Sequence, residues 1–474
     1  MINKTTTKIS LTGGLLLSSL VAFTQSNTPN IIVILADDLG WSSLSTLMDN
    51  KVPDSRSDFH QTPNLERLAS QSIRFTNGYA AAAVCAPSWY SIQTGQTPAR
   101  INMVKVGQPT DHINHENLFP LAKMIKAANP NYATAHFGKW HIGCEPSVLG
   151  YDYSDGRTSN KQGGWSKKNT WLEVNTQDDP KLVFSLTDRS ISFIEEQKAK
   201  NKPFFLQLSH YAVHEKIICT PGSYAKFEAL PKGEKHNLST FAAMLYDLDQ
   251  SIGKLLAKVE ELGLSDNTYI FFLADNGGVP FFPPNSPDKK LKNGMGFNIP
   301  LQRGKWDLFE GGIRVPFMVK GPGIKPNSFC DTPVITYDLL PTIADLVKYK
   351  EKLPANLDGQ SIKPLLEGKI NFKSRALYFH RPYSGGAGIF SPHSAIRYGN
   401  FKLIKYLDSG QVQLFDLKND IGEQKDLSKE DPKEAKLLES KLESYLKSVH
   451  AITFKEMEKV IKKSGKSDTE TDAE

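Results

Sequence analysis

Asn30-Ile31-Ile32-Val33-Ile34-Leu35-Ala36-Asp37-Asp38-Leu39-Gly40 sets an unbroken apolar run directly before two carboxylates and a glycine. Such a short run without polar alternation reads as a strand over 30–36 that is buried on both faces. The pattern returns in Tyr269-Ile270-Phe271-Phe272-Leu273-Ala274-Asp275-Asn276-Gly277-Gly278. Adjacent side chains of a strand point to opposite faces, so both members of a polar pair can face one point only where the strand breaks. The glycines that follow permit that break. Three carboxylates and an amide oxygen are hard donors that suit calcium or magnesium, and the lack of clustered His or Cys there disfavours zinc. One Asp-Asp pair alone would read as a helix cap and turn; two pairs at equivalent strand ends favour a metal site.

Outward from these runs the chain alternates. Residues 64–73 have helical spacing, 118–128 read as another helix and 132–137 as a strand. A helix over 182–198 precedes a strand over 203–209, and a long helix over 238–262 precedes the strand 268–274. This order predicts an α/β fold, a large mixed and mostly parallel sheet sandwiched by helices. Ligands of such sheets bind beyond the carboxyl ends of the strands, where both carboxylate pairs stand. Short strands at 376–380, 394–398 and 401–406, with an amphipathic stretch at 432–449, predict a small C-terminal α+β domain with an antiparallel sheet. The charged segment 462–474 reads as a disordered tail.

At 474 residues the chain exceeds the roughly 250–300 residues at which a single core stops growing, so two domains are expected. The large one spans 27–368 and the small one 372–460. A composition of 39% hydrophobic and 23% charged residues is that of a soluble globular protein, and no stretch approaches the ~18–20 apolar residues of a membrane span. Lys4 and Lys8 precede an apolar stretch from Leu11 to Phe23, the order of a signal peptide over 1–24, which predicts an exported protein, periplasmic or secreted. Its removal takes two lysines and no acids, lowering the formal charge from +6 to +4. So mild a surplus argues neither for nucleic acid nor for a membrane surface as partner, and it is compatible with an anionic substrate. Cys85, Cys144, Cys219 and Cys330 form no Cys-x-x-Cys pair. With Cys85 set aside, at most one disulfide is expected among the other three, and the spacing does not choose it.

Cys85 lies in Val84-Cys85-Ala86-Pro87-Ser88-Trp89-Tyr90-Ser91-Ile92-Gln93-Thr94-Gly95. His136-Phe137-Gly138-Lys139-Trp140-His141 follows one strand, and His210-Tyr211-Ala212-Val213-His214 another. Pro300-Leu301-Gln302-Arg303-Gly304-Lys305 and Glu310-Gly311-Gly312-Ile313-Arg314-Val315-Pro316 come later. In this order the segments resemble the type I sulfatases, a formylglycine-dependent family of the alkaline phosphatase superfamily, and among them the secreted bacterial carbohydrate sulfatases. Residues 337–343, 357–361, 395–404 and 414–417 continue the likeness.

The resemblance implies an alkaline-phosphatase-like fold and hydrolysis of sulfate monoesters. It implies that a formylglycine-generating or sulfatase-maturating enzyme oxidises Cys85 to 3-oxoalanine (formylglycine). The aldehyde hydrate would bind Ca2+, or Mg2+, together with Asp37, Asp38, Asp275 and Asn276. One hydroxyl would attack sulfur, with Asp275 as a proton acceptor. Lys139, Lys305 and His214 would neutralise the sulfate, and His214 or Lys305 would protonate the leaving oxygen. His141 would take the proton that lets the hemiacetal collapse. The implied substrate is a sulfated glycan: the loop Gly150-Tyr151-Asp152-Tyr153-Ser154-Asp155-Gly156-Arg157, with Asn160, Gly163 and Gly164, offers groups that hydrogen-bond and stack a sugar. His380, Arg381, His393 and Arg397 are candidates to complete that subsite. His210 reads as an ordinary surface histidine.

One residue departs from the pattern. Trp89 stands where the family has the arginine of Cys-x-Pro-Ser-Arg, and Gln96 where many members have a second arginine. A neutral indole replaces neither by charge; Arg100 and Arg303 are candidates to restore it. Three readings stay open: a sulfatase, a phosphate or phosphonate ester hydrolase of the same superfamily, and a non-catalytic protein that binds sulfated glycan.

Overall fold

A computed structural model describes residues 28–165, 174–279, 298–369, 372–385 and 391–464. The signal peptide expected over 1–24 and the last ten residues of the expected tail lie outside them. The strands are β1 Asn30–Ala36, β2 Ile73–Phe75, β3 Gly78–Tyr79, β4 Ala133–Gly138, β5 Tyr153–Ser154, β6 Phe204–Ser209 and β7 Thr268–Ala274. They continue with β8 Phe317–Lys320, β9 Ser328–Cys330, β10 Val334–Ile335, β11 Leu377–Arg381, β12 His393–Tyr398, β13 Phe401–Tyr406 and β14 Val412–Asp416.

Every residue of β1 is buried. Because side chains alternate between faces, that requires cover on both sides of the strand. β1 is central in an eight-stranded sheet of order β5-β4-β6-β1-β7-β8-β2-β9. From β5 to β7 all pairings are parallel, and β8 runs antiparallel to both neighbours. The mixed, mostly parallel α/β sheet expected from the apolar runs is therefore the architecture found. Helix Val183–Ala199 lies on β4 and β6 and against helix Ser239–Glu261. In the four-stranded antiparallel sheet β11-β12-β13-β14, Ile396, Leu403 and Leu414 pack with Ala435, Leu438 and Leu442 of helix Pro432–Ser448.

Where boundaries differ from the sequence reading, the causes are local. The first helix is Pro63–Ser70 and Ile73 already opens β2; an apolar residue at helical spacing concealed the change. The helix expected from 118 starts at Leu121, after Pro120, which is suited to a helix start because it has no N–H to donate. Lys462 belongs to no disordered tail: Phe454–Ser464 is a helix, in which Met457 packs with Val104 and Tyr383. All four cysteines, Cys85, Cys144, Cys219 and Cys330, are free thiols.

Candidate active site

The parallel register sets Ala36 beside Ala274 and Leu35 beside Ser209, so the residues after β1, β6 and β7 emerge at one edge. Asp38 has a left-handed backbone (φ 59), the break that lets consecutive aspartates serve one site. At Gly277, a Cβ would lie 1.8 Å from the Gly311 carbonyl oxygen, so only glycine admits the turn carrying Lys305 and Glu310 this close. The loop after β6 is stitched to β1 by Asp37 N to Ala212 O (2.9 Å) and Val213 N to Asp37 O (2.7 Å), which brings His214 alongside Asp38. Lys139 N donates to Ser209 O at 2.8 Å, and Lys305 N donates to Gly278 O at 3.0 Å.

Cys85 is the first residue of helix Cys85–Thr94. Its Sγ lies 3.6 Å from Asp37 Oδ1 and 4.0 Å from Asp38 Oδ1. Lys139 Nζ donates to Asp37 Oδ2 at 2.5 Å, and Lys305 Nζ to Asp38 Oδ2 at 2.9 Å. Asn276 Nδ2 donates to Asp38 Oδ1 at 2.7 Å, and Asp38 N to Asp275 Oδ1 at 3.0 Å. His214 Nε2 is 3.0 Å from Lys305 Nζ, while its Nδ1 is 2.7 Å from the Glu215 carbonyl. That carbonyl only accepts, so Nδ1 carries the hydrogen and Nε2 accepts from the lysine. The structure thus brings Cys85, Asp37, Asp38, Asp275, Asn276, Lys139, Lys305 and His214 together. His141 lines the wall of an adjoining cavity of about 760 Å³, which it shares with Ala86, Tyr90, Gln108, Arg157, Thr158 and Ser159. The loop expected to meet a sugar therefore reaches this cavity through Arg157.

Burial drives the electrostatics. Asp37 is pushed up to about 7, chiefly by burial; Lys139 opposes the rise and the neighbouring Asp275 charge adds to it. Asp38 and Asp275 are raised by the same cause. Burial holds the Cys85 thiol well above its usual value and His214 well below. Burial would also depress Lys139, but Asp37 and the charges around it outweigh that and keep it cationic. Asn276 Oδ1 is buried without a hydrogen-bond partner among the described residues. The groups Asp37, Cys85, Asp275 and Asp38, Cys85, His214 each offer ligand atoms within 4.8 Å of one another. Crowded carboxylates around an orphaned amide oxygen fit a divalent cation.

Trp89 is not a mere loss. Its Nε1 donates to Asp275 Oδ2 at 3.0 Å with the ring fully buried, so a neutral donor stands on a carboxylate of the cluster. Neither candidate for restoring the charge does so. Arg100 holds Asp358 through Nε (2.8 Å) and Nη2 (2.7 Å), and Arg303 pairs with Asp307 at 3.1 Å.

The proposed C-terminal subsite residues are turned inward. His380 bonds Ser394 Oγ and the Ile452 carbonyl, at 2.7 and 2.8 Å. Arg381 donates to the Tyr383 carbonyl at 2.7 Å. His393 accepts from Leu308 N at 3.1 Å, and Arg397 donates to Asn77 at 3.2 Å. All four are at most 6% exposed and none lines the cavity beside Cys85 among its described residues. His210 is no surface residue either: it is fully buried, with neither ring nitrogen hydrogen-bonded among the described residues.

A family model described as Sulfatase matches residues 29–349, and one described as N-sulphoglucosamine sulphohydrolase, C-terminal, matches 304–451. The chain belongs to the sulfatase family. With it comes membership of the alkaline phosphatase superfamily. This sulfatase is similar to a protein named Sulfatase from Formosa agariphila, 29% identical with 90% of each chain covered. It is also similar to the N-acetylgalactosamine-6-sulfatase of Mus musculus, 27% identical over 76% of this chain and 70% of that one. Among solved structures, Ps i-CgsB is 27% identical at a TM-score of 0.70, with 88% of this chain and 93% of that chain covered. Ps i-CgsB has also been solved in complex with k-i-k-neocarrahexaose. The chain is a sulfuric ester hydrolase.

Proposed function

We propose that this sulfatase removes sulfate from a sulfated carbohydrate, with residue 85 oxidised to formylglycine and one calcium ion, or magnesium in its place, held by Asp37, Asp38, Asp275 and Asn276. The observation that carries the reading is Cys85 Sγ at 3.6 Å from Asp37 beside an orphaned Asn276 oxygen. The cation supplies Lewis acidity, and the aldehyde hydrate supplies a nucleophilic hydroxyl that regenerates without a stable ester.

The chain's own groups do the rest. Sulfate oxygens repel a nucleophile, and Lys139 and Lys305, both buried, offset that charge in a site largely cut off from water. Lys305, which donates to neutral His214, holds the proton suited to the leaving oxygen; His214 orients it. Asp275, fixed by Trp89 and by Asp38 N, is the proton acceptor at residue 85, and His141 on the cavity wall is the later base. The sugars named for the relatives and the polar wall of Arg157, Thr158 and Ser159 support a glycan in the cavity. Residues 27–368 would carry this chemistry, 372–460 would brace it, and the leader at 1–24 would export it.

Release of inorganic sulfate from sulfated oligosaccharides tests the reading: it should stop on chelation and in Cys85→Ala. Faster turnover of phosphate or phosphonate esters by a protein with an unmodified thiol would favour the other hydrolase reading. Glycan binding without sulfate release would favour a binding protein.

A further inference from the structure

Lys181 is a cation at the site that its sequence context gave no reason to suspect. It lies in the short turn Pro180–Leu182, 3% exposed, with left-handed backbones at both Lys181 (φ 56) and Leu182 (φ 56). Side chains other than glycine rarely adopt that conformation, and where they do it often serves a site. The turn is fixed on both sides. Asp179 Oδ1 accepts from Phe184 N at 2.8 Å. Upstream, Cys219 N donates to Asn175 O at 3.1 Å and Gln177 N to Cys219 O at 3.0 Å, which ties the turn to the segment bearing His214 and Glu215.

Among the described residues Lys181 makes no hydrogen bond or ion pair. Its ammonium nevertheless acts electrostatically on Asp37, Glu215, Lys139 and Asp38, and it disfavours protonation of His214. Burial brings its own pKa down to about 7, against the pull of Asp37 and Glu215. The other ammoniums of the cluster are already engaged, Lys139 on Asp37 and Lys305 on Asp38, and Trp89 gives Asp275 only a neutral donor. A buried ammonium without a partner destabilises the fold. Lys181 is thus placed to meet an anion that comes from outside the chain.

We propose that Lys181 is a further substrate-binding residue, which holds an oxygen of the substrate's sulfate group and, after cleavage, of free sulfate. The proposal rests on the sulfatase reading above. The test uses matured protein whose residue 85 has been verified as the aldehyde by mass, with a chromogenic aryl sulfate as substrate and inorganic sulfate as inhibitor. Lys181→Met should raise KM and weaken sulfate inhibition, each by about 10- to 100-fold, with kcat changed less. Its thermal midpoint should stay level or rise, because an unpaired buried charge has gone. Lys181→Arg, which keeps the charge, should retain much of the sulfate inhibition. Unchanged sulfate inhibition in Lys181→Met, or a lowered midpoint with KM unaltered, would show a structural role and overturn the proposal. Should Lys181→Met fail to fold, equal sulfate inhibition in Lys181→Gln and Lys181→Arg would overturn it in the same way. A wild-type protein that forms the aldehyde but releases no sulfate would instead defeat the sulfatase reading, before any variant is compared.

Discussion

Two buried ionic clusters of this protein differ in how far their charges are matched. In one, Lys402 of β13 ion-pairs Glu310 and Glu423 at 2.9 and 2.8 Å, and Glu310 also receives Arg314 Nε at 2.7 Å and Tyr79 OH at 2.8 Å. This cluster joins the small sheet to the large unit. In the other, Asp37, Asp38 and Asp275 converge on Cys85. Burial acts on both, with opposite results. Burial would raise Glu310, but Lys402 and Arg314 outweigh it and hold the carboxyl down at about 2, whereas Asp37 is pushed up to about 7. Glu423, which shares Lys402 with Glu310, is also pushed up by burial. Glu310 meets two cations, Arg314 and the Lys402 it shares with Glu423, so the first cluster is largely closed on itself. The second leaves an amide oxygen orphaned and a lysine unpaired, and needs groups from outside the chain.

The largest expected difference comes from removing one member of each. Asp275→Asn should lower sulfate release by more than about 10³-fold, a scale set by loss of positioned electrostatic and proton-transfer groups. The thermal midpoint of the cation-free protein should hold or rise as carboxylate repulsion is relieved. Activity near the wild-type level would remove Asp275 from the chemistry. Lys402→Met should do the reverse. It strands Glu310 and Glu423 without their shared cation, at a cost of about 3–5 kcal/mol, seen as a lower midpoint, while KM stays near that of the parent. A midpoint equal to wild type would mean that the network does not hold the small sheet in place.

A smaller effect separates the clusters by ligand. Calcium at about 100 times its Kd should stabilise the wild type by about 2.7 kcal/mol. The gain should vanish on chelation and in Asp37→Asn, yet persist in Glu423→Gln. Calcium stabilisation that survives Asp37→Asn would place the cation elsewhere.

The smallest effect is in pH. Burial lowers His380 to about 4 and His136 and His210 to about 3, with His60 also well below its usual value. Unfolded histidines, near 6.5, take protons that these rings refuse, so stability contributed above pH ~6.5 is lost as pH falls toward 4 and 3. Raised Asp37 works the other way in cation-free protein, gaining stability as pH falls from about 7 toward its unfolded value of 3.8. The calcium-loaded protein should therefore lose more midpoint on acidification than the cation-free one. Parallel pH curves would mean that the aspartates do not titrate as a crowded group.

The carboxylate edge was legible because β1 and β7 are bounded by their own chemistry, an apolar run cut off by Asp-Asp-Leu-Gly or Asp-Asn-Gly-Gly. Their parallel register then does the rest without further information from the loops. The substrate side was not. His380 and Arg397 look like surface polar residues in a strand sequence, but which face of β11 and β12 is covered depends on Ile452 and Asn77, distant in the chain. Trp89 registered only as a lost charge, since nothing local reveals that its N–H meets Asp275 across 186 positions. Lys181, in Asp-Asp-Pro-Lys-Leu, resembles an exposed helix start. Its burial arises from pairing of the preceding segment with Cys219.

The open cluster makes sense only if residue 85 carries the nucleophile. The most direct check is the mass of the tryptic peptide Phe75–Arg100 from protein made in a host with a sulfatase-maturating system. Loss of the sulfur with gain of an aldehyde oxygen at residue 85 is expected. A peptide that retains the intact cysteine thiol, from protein that still releases sulfate, would contradict the assignment.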